Sequence, residues 1–289
     1  MTYFKSSPAN LGAGVYFKHK HFRDIMQSKP SIDWFEVHSE NYMSKGGVSL
    51  KQLEDIRQNY PVSVHGVSLS LGSAEPLCQE HLQGLKKLID WIEPILVSEH
   101  LAWSRFAGSY LNDLLPIPYT PETLQTLCDH IEQTQEVLRR QILIENPSTY
   151  VTFKDSTIAE PDFLAQAIQR TGCKLLLDVN NIYVSCCNHQ WDAAAYLRSV
   201  PADCVSEIHL AGHAERVVGA HILRIDDHGS KVCDAVWDLY QQAIKRFGVT
   251  PTMIEWDTDV PSLDTLVGEA HSANLVLQRA GEGTNVLAG

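Results

Sequence analysis

The sequence predicts an α/β protein in which one domain, residues 1–289, forms a closed (β/α)8 barrel, the TIM-barrel fold. Apolar runs of strand length recur eight times along the chain, and a helical stripe or a helix-length segment follows each run. Such strand, helix, strand connections imply parallel strands, which a barrel of about 250 residues accommodates. Three of the runs also end on a carboxylate, at Glu145, Asp178 and Glu255, as strands do when they lead into a site.

A doubly wound open sheet is the alternative architecture for the same alternation of strands and helices. Its dinucleotide-binding form would need a G-x-G-x-x-G sequence after the first strand. Gly12 and Gly14 begin that pattern, but Phe17 stands where the third glycine should be. The barrel is therefore the preferred prediction.

The individual elements follow from periodicity, caps and breakers. Strands are predicted at residues 11–17, 32–38, 61–65, 95–100, 142–144, 175–177, 205–210 and 253–254. Helices are predicted at residues 21–27, 82–92, 161–170, 191–198 and 235–247; Ser49, Thr120 with Pro121, and Pro261 are predicted to begin three more. Residues 101–118 form a connection too long for a simple turn, so we expect it to cover a site or to carry function.

Composition narrows the classes of function and partner. The formal net charge of -12 argues against a protein that binds by neutralising phosphates, so no nucleic-acid partner is expected. No apolar run reaches the length of a membrane span, and residues 1–11 lack the apolar core of a signal peptide, which predicts a cytoplasmic protein with no membrane partner. The seven cysteines include no C-x-x-C pair and are predicted to be reduced, mostly buried thiols.

Imidazoles and carboxylates stand at the ends of the predicted strands, where barrel enzymes place their active sites. The strand-end residues are His38, His65, His100, Glu145, Asp178, His209 and Glu255, and the stretch after the seventh strand adds His213, Asp226, Asp227 and His228. This mixture is the ligand chemistry of divalent transition metals, and it contains more groups than one ion needs. We predict two or three metal ions that share bridging carboxylates.

Several of these residues also have a purely structural interpretation. A strand-end histidine such as His38 is more often hydrogen-bonded than metal-bound, and Asp226 or Asp227 could be an ordinary turn acid before Gly229. Glu207 is expected to face solvent or a helix. A set of at least six candidate ligands at the same end of the strands is harder to explain structurally, which favours a site.

Seven short motifs give the chain a resemblance to the DUF692 (UPF0276) family. They are W-F-E-V-H-S-E-N-Y-M at residues 34–43, V-H-G at 64–66, S-E-H-L-A-W at 98–103, I-E-N at 144–146, L-D-V-N-N at 177–181, H-L-A-G-H at 209–213 and I-E-W-D at 254–257. The resemblance covers nearly the whole chain. It implies a xylose isomerase-like TIM barrel with two or three metal ions in its mouth.

The family resemblance also implies a set of site residues. The metal ligands would be His65, His100, Glu145, Asp178, His209, Asp226, His228 and Glu255, with Asn181 as a further candidate. Where the family usually has D-T-H, this chain has D-D-H at residues 226–228, so Asp227 competes with Asp226 as the binding acid. Glu145, Asp178 and His213 are the predicted catalytic residues; His213 would serve the substrate, and Glu40 would hold the outer nitrogen of a ligating histidine.

By the same resemblance, the chain would be a multinuclear non-heme iron-dependent oxidase similar to the methanobactin biosynthesis enzyme. It would use dioxygen and two or three iron ions in a mixed-valent Fe(II)/Fe(III) state to modify cysteine, or another residue, of a ribosomally made precursor peptide. A partner protein that binds the leader of that peptide is also implied. Zinc or manganese could replace iron in the same ligand set.

Three other functions fit the same residues. A zinc or manganese hydrolase could cleave a phosphodiester, as endonuclease IV does, although the charge of the chain disfavours DNA. A sugar isomerase is a second alternative, but Lys18 and Lys20 are expected to lie too far away to supply its helper base. The third is a metal-binding protein without turnover. Cys186 and Cys187, which follow the D-V-N-N turn, are expected to be ordinary loop thiols rather than redox-active groups.

Overall fold

Eight parallel strands form a closed ring at the centre of the molecule, in a computed structural model that describes residues 11–44 and 46–286. The ends of the predicted 1–289 domain, and with them most of the stretch considered for a signal peptide, lie outside the described residues. The ring strands are β1 (Ala13–Tyr16), β2 (Phe35–His38), β3 (Val62–Gly66), β4 (Val97–His100), β7 (Leu143–Glu145), β8 (Lys174–Asp178), β9 (Val205–Leu210) and β12 (Thr252–Ile254). Their order around the ring is β1-β2-β3-β4-β7-β8-β9-β12, closed by pairing of β12 with β1, and the predicted TIM barrel is confirmed.

A layer of helices surrounds the ring. The helices are α1 (Phe22–Ser28), α2 (Val48–Arg57), α3 (Gln79–Ile92), α4 (Pro121–Leu138), α5 (Glu160–Thr171), α6 (Val179–His189), α7 (Ala193–Ser199), α8 (Asp234–Phe247) and α9 (Leu263–Val286). Their apolar stripes pack on the outer face of the strands, and Leu53, Leu127 and Phe163 are completely buried there. In the part of the chain that the structure describes, no helix is long and apolar enough to cross a membrane.

Two helix ends show how local sequence determines the boundaries. Thr120 caps α4 by accepting from the N–H of Thr123 at 3.3 Å, and the Thr123 hydroxyl accepts in return from the N–H of Thr120 at 3.1 Å. This reciprocal pair, with Pro121 at the first helical position, satisfies donors that the helix itself leaves free. Helix α5 ends where predicted, at Gly172, which takes a φ of 69° that suits glycine.

One predicted helix start was wrong, and one helix was not predicted. Helix α2 begins at Val48 with Gly47 as its N-cap, because Gly46 and Gly47 adopt positive φ angles and let the chain turn into the helix before Ser49. The D-V-N-N segment is the first turn of α6 rather than a loop. Cys186 and Cys187 therefore lie on a helix, and Cys186 is buried.

Two antiparallel hairpins rise from the rim at the C-terminal ends of the ring strands. The first, β5 (Trp103–Phe106) with β6 (Ser109–Leu115), occupies the connection that was predicted to cover a site. The second, β10 (Ala214–Val218) with β11 (His221–Ile225), follows β9 and was not predicted. Both are exposed two-stranded ribbons, so their sequences lack the continuous apolar runs that reveal the ring strands.

Candidate metal centre

The mouth of the barrel contains a cavity of about 450 Å³ beside the strand ends. Strand β6 forms one wall of this cavity with residues 110–114, so part of the 101–118 connection borders the strand ends, in line with the expectation that it covers a site. The polar side chains that line the cavity include His38, His100, Glu145, Asn181, Asp226, Asp227, His228, Glu255 and Asp257. Strand-end residues therefore meet in one place, as the barrel prediction required.

Three residues form the first group of potential ligands. Register places His65 on β3, His100 at the end of β4, and Glu145 beside His100 at the end of β7. Glu145 Oε2 lies 3.1 Å from His65 Nε2 and 3.0 Å from His100 Nε2, and the two Nε2 atoms are 3.4 Å apart. One ion could be held between two imidazoles and one carboxylate oxygen here.

A second group shares Glu145 with the first. One ligand atom from each of Glu145, Asp178, His209 and Glu255 lies within 4.8 Å of the others, and all four side chains are buried. Asp178 and His209 face each other in the register of β8 and β9. A carboxylate common to two groups is the arrangement that two neighbouring metal ions need.

The stretch after β11 adds a third group next to Glu255. His228 Nε2 lies 2.7 Å from Asp226 Oδ1, and His228 Nδ1 lies 3.2 Å from Asp257 Oδ2 and 3.4 Å from Glu255 Oε2. Asp227 instead accepts from the N–H of Gly229 at 3.3 Å. Of the two neighbouring acids, Asp226 therefore contacts His228, whereas Asp227, which also lines the cavity, occupies the turn at Gly229.

The amides beside the cluster take separate positions. Asn181 donates to Glu145 Oε1 at 3.3 Å, while Asn146 is tied to the backbone of Asp178 at 2.9 and 3.0 Å. Asn180 links the cluster to His213: it donates to Asp226 Oδ1 at 2.6 Å, and its Oδ1 lies 3.0 Å from His213 Nδ1. His213 thus reaches the cluster through an amide.

Burial and charge perturb the titration of these groups in a consistent pattern. Burial raises the pKa of Asp178, and the neighbouring charges of Glu145 and Asp226 raise it further. Burial opposes the charged form of Glu145 as well, yet His100 and His65 lower its pKa to about 2. Burial also opposes a charged His228, but Asp226 and Glu255 raise its pKa well above the usual value. Burial therefore favours the neutral form of Asp178, whereas Glu145 and His228 are held in their charged forms by neighbours of opposite charge.

The donor set fits transition-metal ions. Among the described residues, Asp178 Oδ2 and Asn181 Oδ1 are buried oxygens without a hydrogen-bond partner, and buried polar atoms are rarely left in that state. Both belong to residues that were predicted as ligands. Since bound metal requires neutral imidazole and ionised carboxylate, its uptake would displace the protons held by the histidines.

Three predictions about neighbouring residues were wrong. Glu40 touches none of the ligand histidines: it accepts from the N–H groups of Val67 and Ser68 at 3.0 and 2.8 Å. Glu207 is completely buried inside the barrel, because it lies two residues before His209 and so shares its side of the strand. Lys18 is close to the site, since its Nζ lies 2.8 Å from Asp257 Oδ1.

Sequence reasoning missed a group of buried side chains directly beneath the cluster. They are Glu36 on β2, Ser63 on β3, Ser98 on β4 and Glu207 on β9, and we call them the inner polar layer. Each stands two residues before a strand-end histidine, so the alternation of strand residues puts both on the same face. That spacing was the signal that could have revealed them. Asp257, two residues after Glu255, was missed as well.

Comparison with known proteins identifies the family. A family model described as RiPP precursor modification enzyme MbnB/TglH/ChrH matches residues 12–278. The chain belongs to this family. As an MbnB/TglH/ChrH member it is a metal-dependent enzyme, and the groups that could hold a metal ion lie within the matched segment.

Relatives with high sequence identity agree with the assignment to the MbnB/TglH/ChrH family. The UPF0276 protein of Acaryochloris marina is 49% identical over 266 residues, which cover 92% of this chain and 95% of that protein. A UPF0276 protein of Paraburkholderia phytofirmans is 47% identical, with 92% and 87% covered. Both comparisons cover more than nine-tenths of this chain.

The solved structures support the fold alone. A xylose isomerase-like TIM barrel protein from Mycobacterium smegmatis, in complex with magnesium, superposes with a TM-score of 0.62 at 12% identity, covering 96% of this chain and 99% of that one. Endonuclease IV from Thermus thermophilus gives 0.57 at 14% identity, with 94% and 99% covered. The predicted xylose isomerase-like barrel is confirmed.

Proposed function

We propose that this enzyme is a multinuclear iron-dependent oxidase that uses dioxygen to modify a cysteine, or another residue, of a precursor peptide. The observation that carries the proposal is the shared use of Glu145 and Glu255 by neighbouring ligand groups at the barrel mouth, in a chain of the precursor-modifying family. Imidazole and carboxylate together suit iron, and shared carboxylates set a short distance between two ions. A leader-binding partner protein belongs to the same proposal.

The proposed ligands divide among the three groups described above. His65 and His100 would share one ion with Glu145, while Asp178, Asn181, His209 and Glu255 would hold a second. Asp226 and His228 would complete a third position next to Glu255. Bound iron would supply the one-electron chemistry and the activation of dioxygen that no side chain of the chain provides.

The protein itself would bind and orient the peptide. The cavity between β6 and the strand ends admits a side chain but holds the ligand residues away from bulk water, since His65, His209 and Asp178 are completely buried. His213 is only partly buried, and its Nδ1 is engaged by Asn180, which leaves Nε2 to contact substrate. We assign His213 the role of orienting the peptide or moving a proton to or from it.

Metal analysis combined with Mössbauer spectroscopy tests the proposal, on protein purified anaerobically from iron-supplied cells. Two or more irons per chain in a coupled, mixed-valent state are expected, and oxygen should be consumed only with a peptide substrate. Zinc or manganese without iron would replace the proposal with metal-assisted hydrolysis or isomerisation.

Two variants test whether metal binds at this cluster of side chains. Glu145→Ala should lower the metal content, because it removes the carboxylate shared by two groups. Glu215→Ala is the matched control, since Glu215 lies on β10 in an exposed ion pair with Arg224. Full metal occupancy in Glu145→Ala would remove the main support for the proposed site.

A further inference from the structure

The inner polar layer occupies only half of the barrel interior. At the same depth, the strands β7, β8 and β12 contribute the apolar side chains Leu143, Leu176 and Met253. A fully buried carboxylate such as Glu36 is expensive unless a partner satisfies it. The buried acids of this layer therefore need polar partners.

Each oxygen of Glu36 has a polar neighbour, one a hydrogen-bond donor and the other a close imidazole nitrogen. The hydroxyl of Ser63 donates to Glu36 Oε2 at 2.7 Å, and Glu36 Oε1 lies 3.2 Å from His209 Nε2. Glu207 Oε1 approaches the same nitrogen at 3.7 Å from the side. Because ionised carboxylates only accept, a hydrogen bond between His209 and Glu36 would need the proton on His209 Nε2.

The other ring nitrogen of His209 points to the mouth. His209 Nδ1 lies 3.1 Å from Glu255 Oε2, and Glu255 lines the cavity. A histidine that binds a metal uses one nitrogen for the ion and donates with the other. With Nε2 committed to Glu36, only Nδ1 of His209 remains for an ion.

His65 and His100 are held the opposite way round. His65 Nδ1 lies 2.7 Å from the hydroxyl of Ser98, and His100 Nδ1 donates to the carbonyl of Gly66 at 2.9 Å. Their Nε2 atoms are the ones that face Glu145. The histidines of the cluster thus direct different ring nitrogens to the mouth of the barrel. The group that contacts the other nitrogen of each ring determines which nitrogen faces the mouth.

We propose that Glu36 is a positioning residue of the metal centre, which holds the Nε2–H of His209 so that this histidine binds metal through Nδ1. This inference rests on the proposed metal centre and concerns only how one ligand is oriented. Its acceptor oxygen, rather than its charge, is the required feature.

The first test determines the nitrogen directly. In protein labelled with 15N-histidine and loaded with Zn²⁺ as a diamagnetic probe, long-range 1H–15N correlation spectra distinguish a metal-bound nitrogen from a protonated one; His209→Gln assigns the signal. The expected result is a zinc-bound Nδ1 and a protonated Nε2 for His209. A zinc-bound Nε2 would overturn the positioning role while leaving a metal centre in place.

The second test uses variants of the layer. Glu36→Leu should weaken Zn²⁺ binding by about 10- to 100-fold, as loss of the partner behind a ligand histidine typically does. Glu36→Gln should restore most of the affinity, because its amide oxygen can accept from His209 while its NH₂ group donates to Ser63. Leu176→Met is the matched control, at the same depth in the apolar half.

The outcomes separate the two proposals. Equal Zn²⁺ affinity in Glu36→Leu and the natural protein would refute the positioning role, as would a Gln variant no better than the Leu variant. If Glu36→Leu does not fold, the Zn²⁺ affinity of Glu36→Gln and the identity of the zinc-bound nitrogen of His209 still test the positioning role. A natural protein that binds no metal would refute the metal centre and the positioning role together.

Discussion

Replacing Asp178 should separate two functions of one carboxylate. Asp178 Oδ1 accepts from the N–H of Asn181 at 2.6 Å and so caps helix α6, whereas Oδ2 has no hydrogen-bond partner among the described residues. Asparagine keeps an oxygen for the cap but removes the charge, and alanine removes both. The comparison of Asp178→Asn with Asp178→Ala in metal-free protein therefore isolates the cap.

The size of the cap effect follows from helix energetics. Loss of an N-cap costs about 0.5 to 2 kcal/mol, and each kcal/mol shifts the Tm of a domain of this size by about 2 to 4 °C. The Ala variant should thus melt about 1 to 8 °C below the Asn variant. Because burial and the charges of Glu145 and Asp226 raise the pKa of Asp178, its ionised form opposes folding above its ordinary pKa, and Asp178→Asn should be at least as stable as the natural metal-free protein.

Bound metal should make the natural protein more stable than Asp178→Asn. At a free concentration about a hundredfold above Kd, a bound ion stabilises the natural protein by about 2.7 kcal/mol, which corresponds to about 5 to 11 °C. Both variants should gain less, since each lacks the anionic ligand. Differential scanning calorimetry with and without Zn²⁺ measures both effects. An Asn variant with the full metal-dependent shift would show that Asp178 is not a ligand, and equal metal-free Tm values would refute the cap argument.

Three further predictions concern other parts of the molecule. Burial raises the pKa of Glu160 above 4.5, even though Tyr119 and Tyr196 donate hydrogen bonds to it. Its ionisation therefore makes folding less favourable as pH rises above that value. Glu160→Gln should reduce this loss of stability with rising pH, measured by urea unfolding at several pH values. His213→Ala should keep its metal, by elemental analysis, while peptide turnover falls about 100-fold or more if His213 transfers a proton. Thr120→Ala should lose about 0.5 to 2 kcal/mol of stability, measured by urea unfolding, because it removes the cap of α4.

Each of these three predictions has a result that would refute it. Parallel pH profiles for Glu160→Gln and the natural protein would mean that this carboxyl is not perturbed by burial. Loss of metal from His213→Ala would make it part of the ligand set rather than a substrate contact. An unchanged free energy of unfolding in Thr120→Ala would show that water replaces the capping hydroxyl at no cost.

The sequence predicted the ring strands well because both of their faces are buried. The run Leu175 to Leu177 is completely buried, so every position there had to be apolar, and the abrupt change at Asp178 marked the strand end. The hairpins escaped prediction for the opposite reason. Val217 on β10 is 80% exposed, and no burial requirement shaped a readable pattern.

The meeting of these side chains at the barrel mouth could be predicted because barrel strands end at a common level. The inner polar layer was missed because a single acid inside an apolar run is usually interpreted as an outward-facing residue. Glu207 in V-S-E-I-H-L shares the face of His209, and Glu36 in F-E-V-H shares that of His38. Asp226 and Asp227 could not be separated from sequence, since only the turn geometry decides which one points to His228.

The inner polar layer also ties the two halves of the chain together during folding. Glu36 and Ser63 stand on adjacent strands of the first half, but His209 and Glu207 arrive from β9, on a distant part of the ring. A partial structure that closed over Glu36 before β9 joined the ring would bury this carboxylate without His209, at a penalty of about 1 to 3 kcal/mol or more for a charged group. Such partial structures are therefore disfavoured, and ring closure becomes cooperative. Hydrogen exchange of β2 and β9 should then report a single opening event, whereas Glu36→Leu should let the two strands exchange independently.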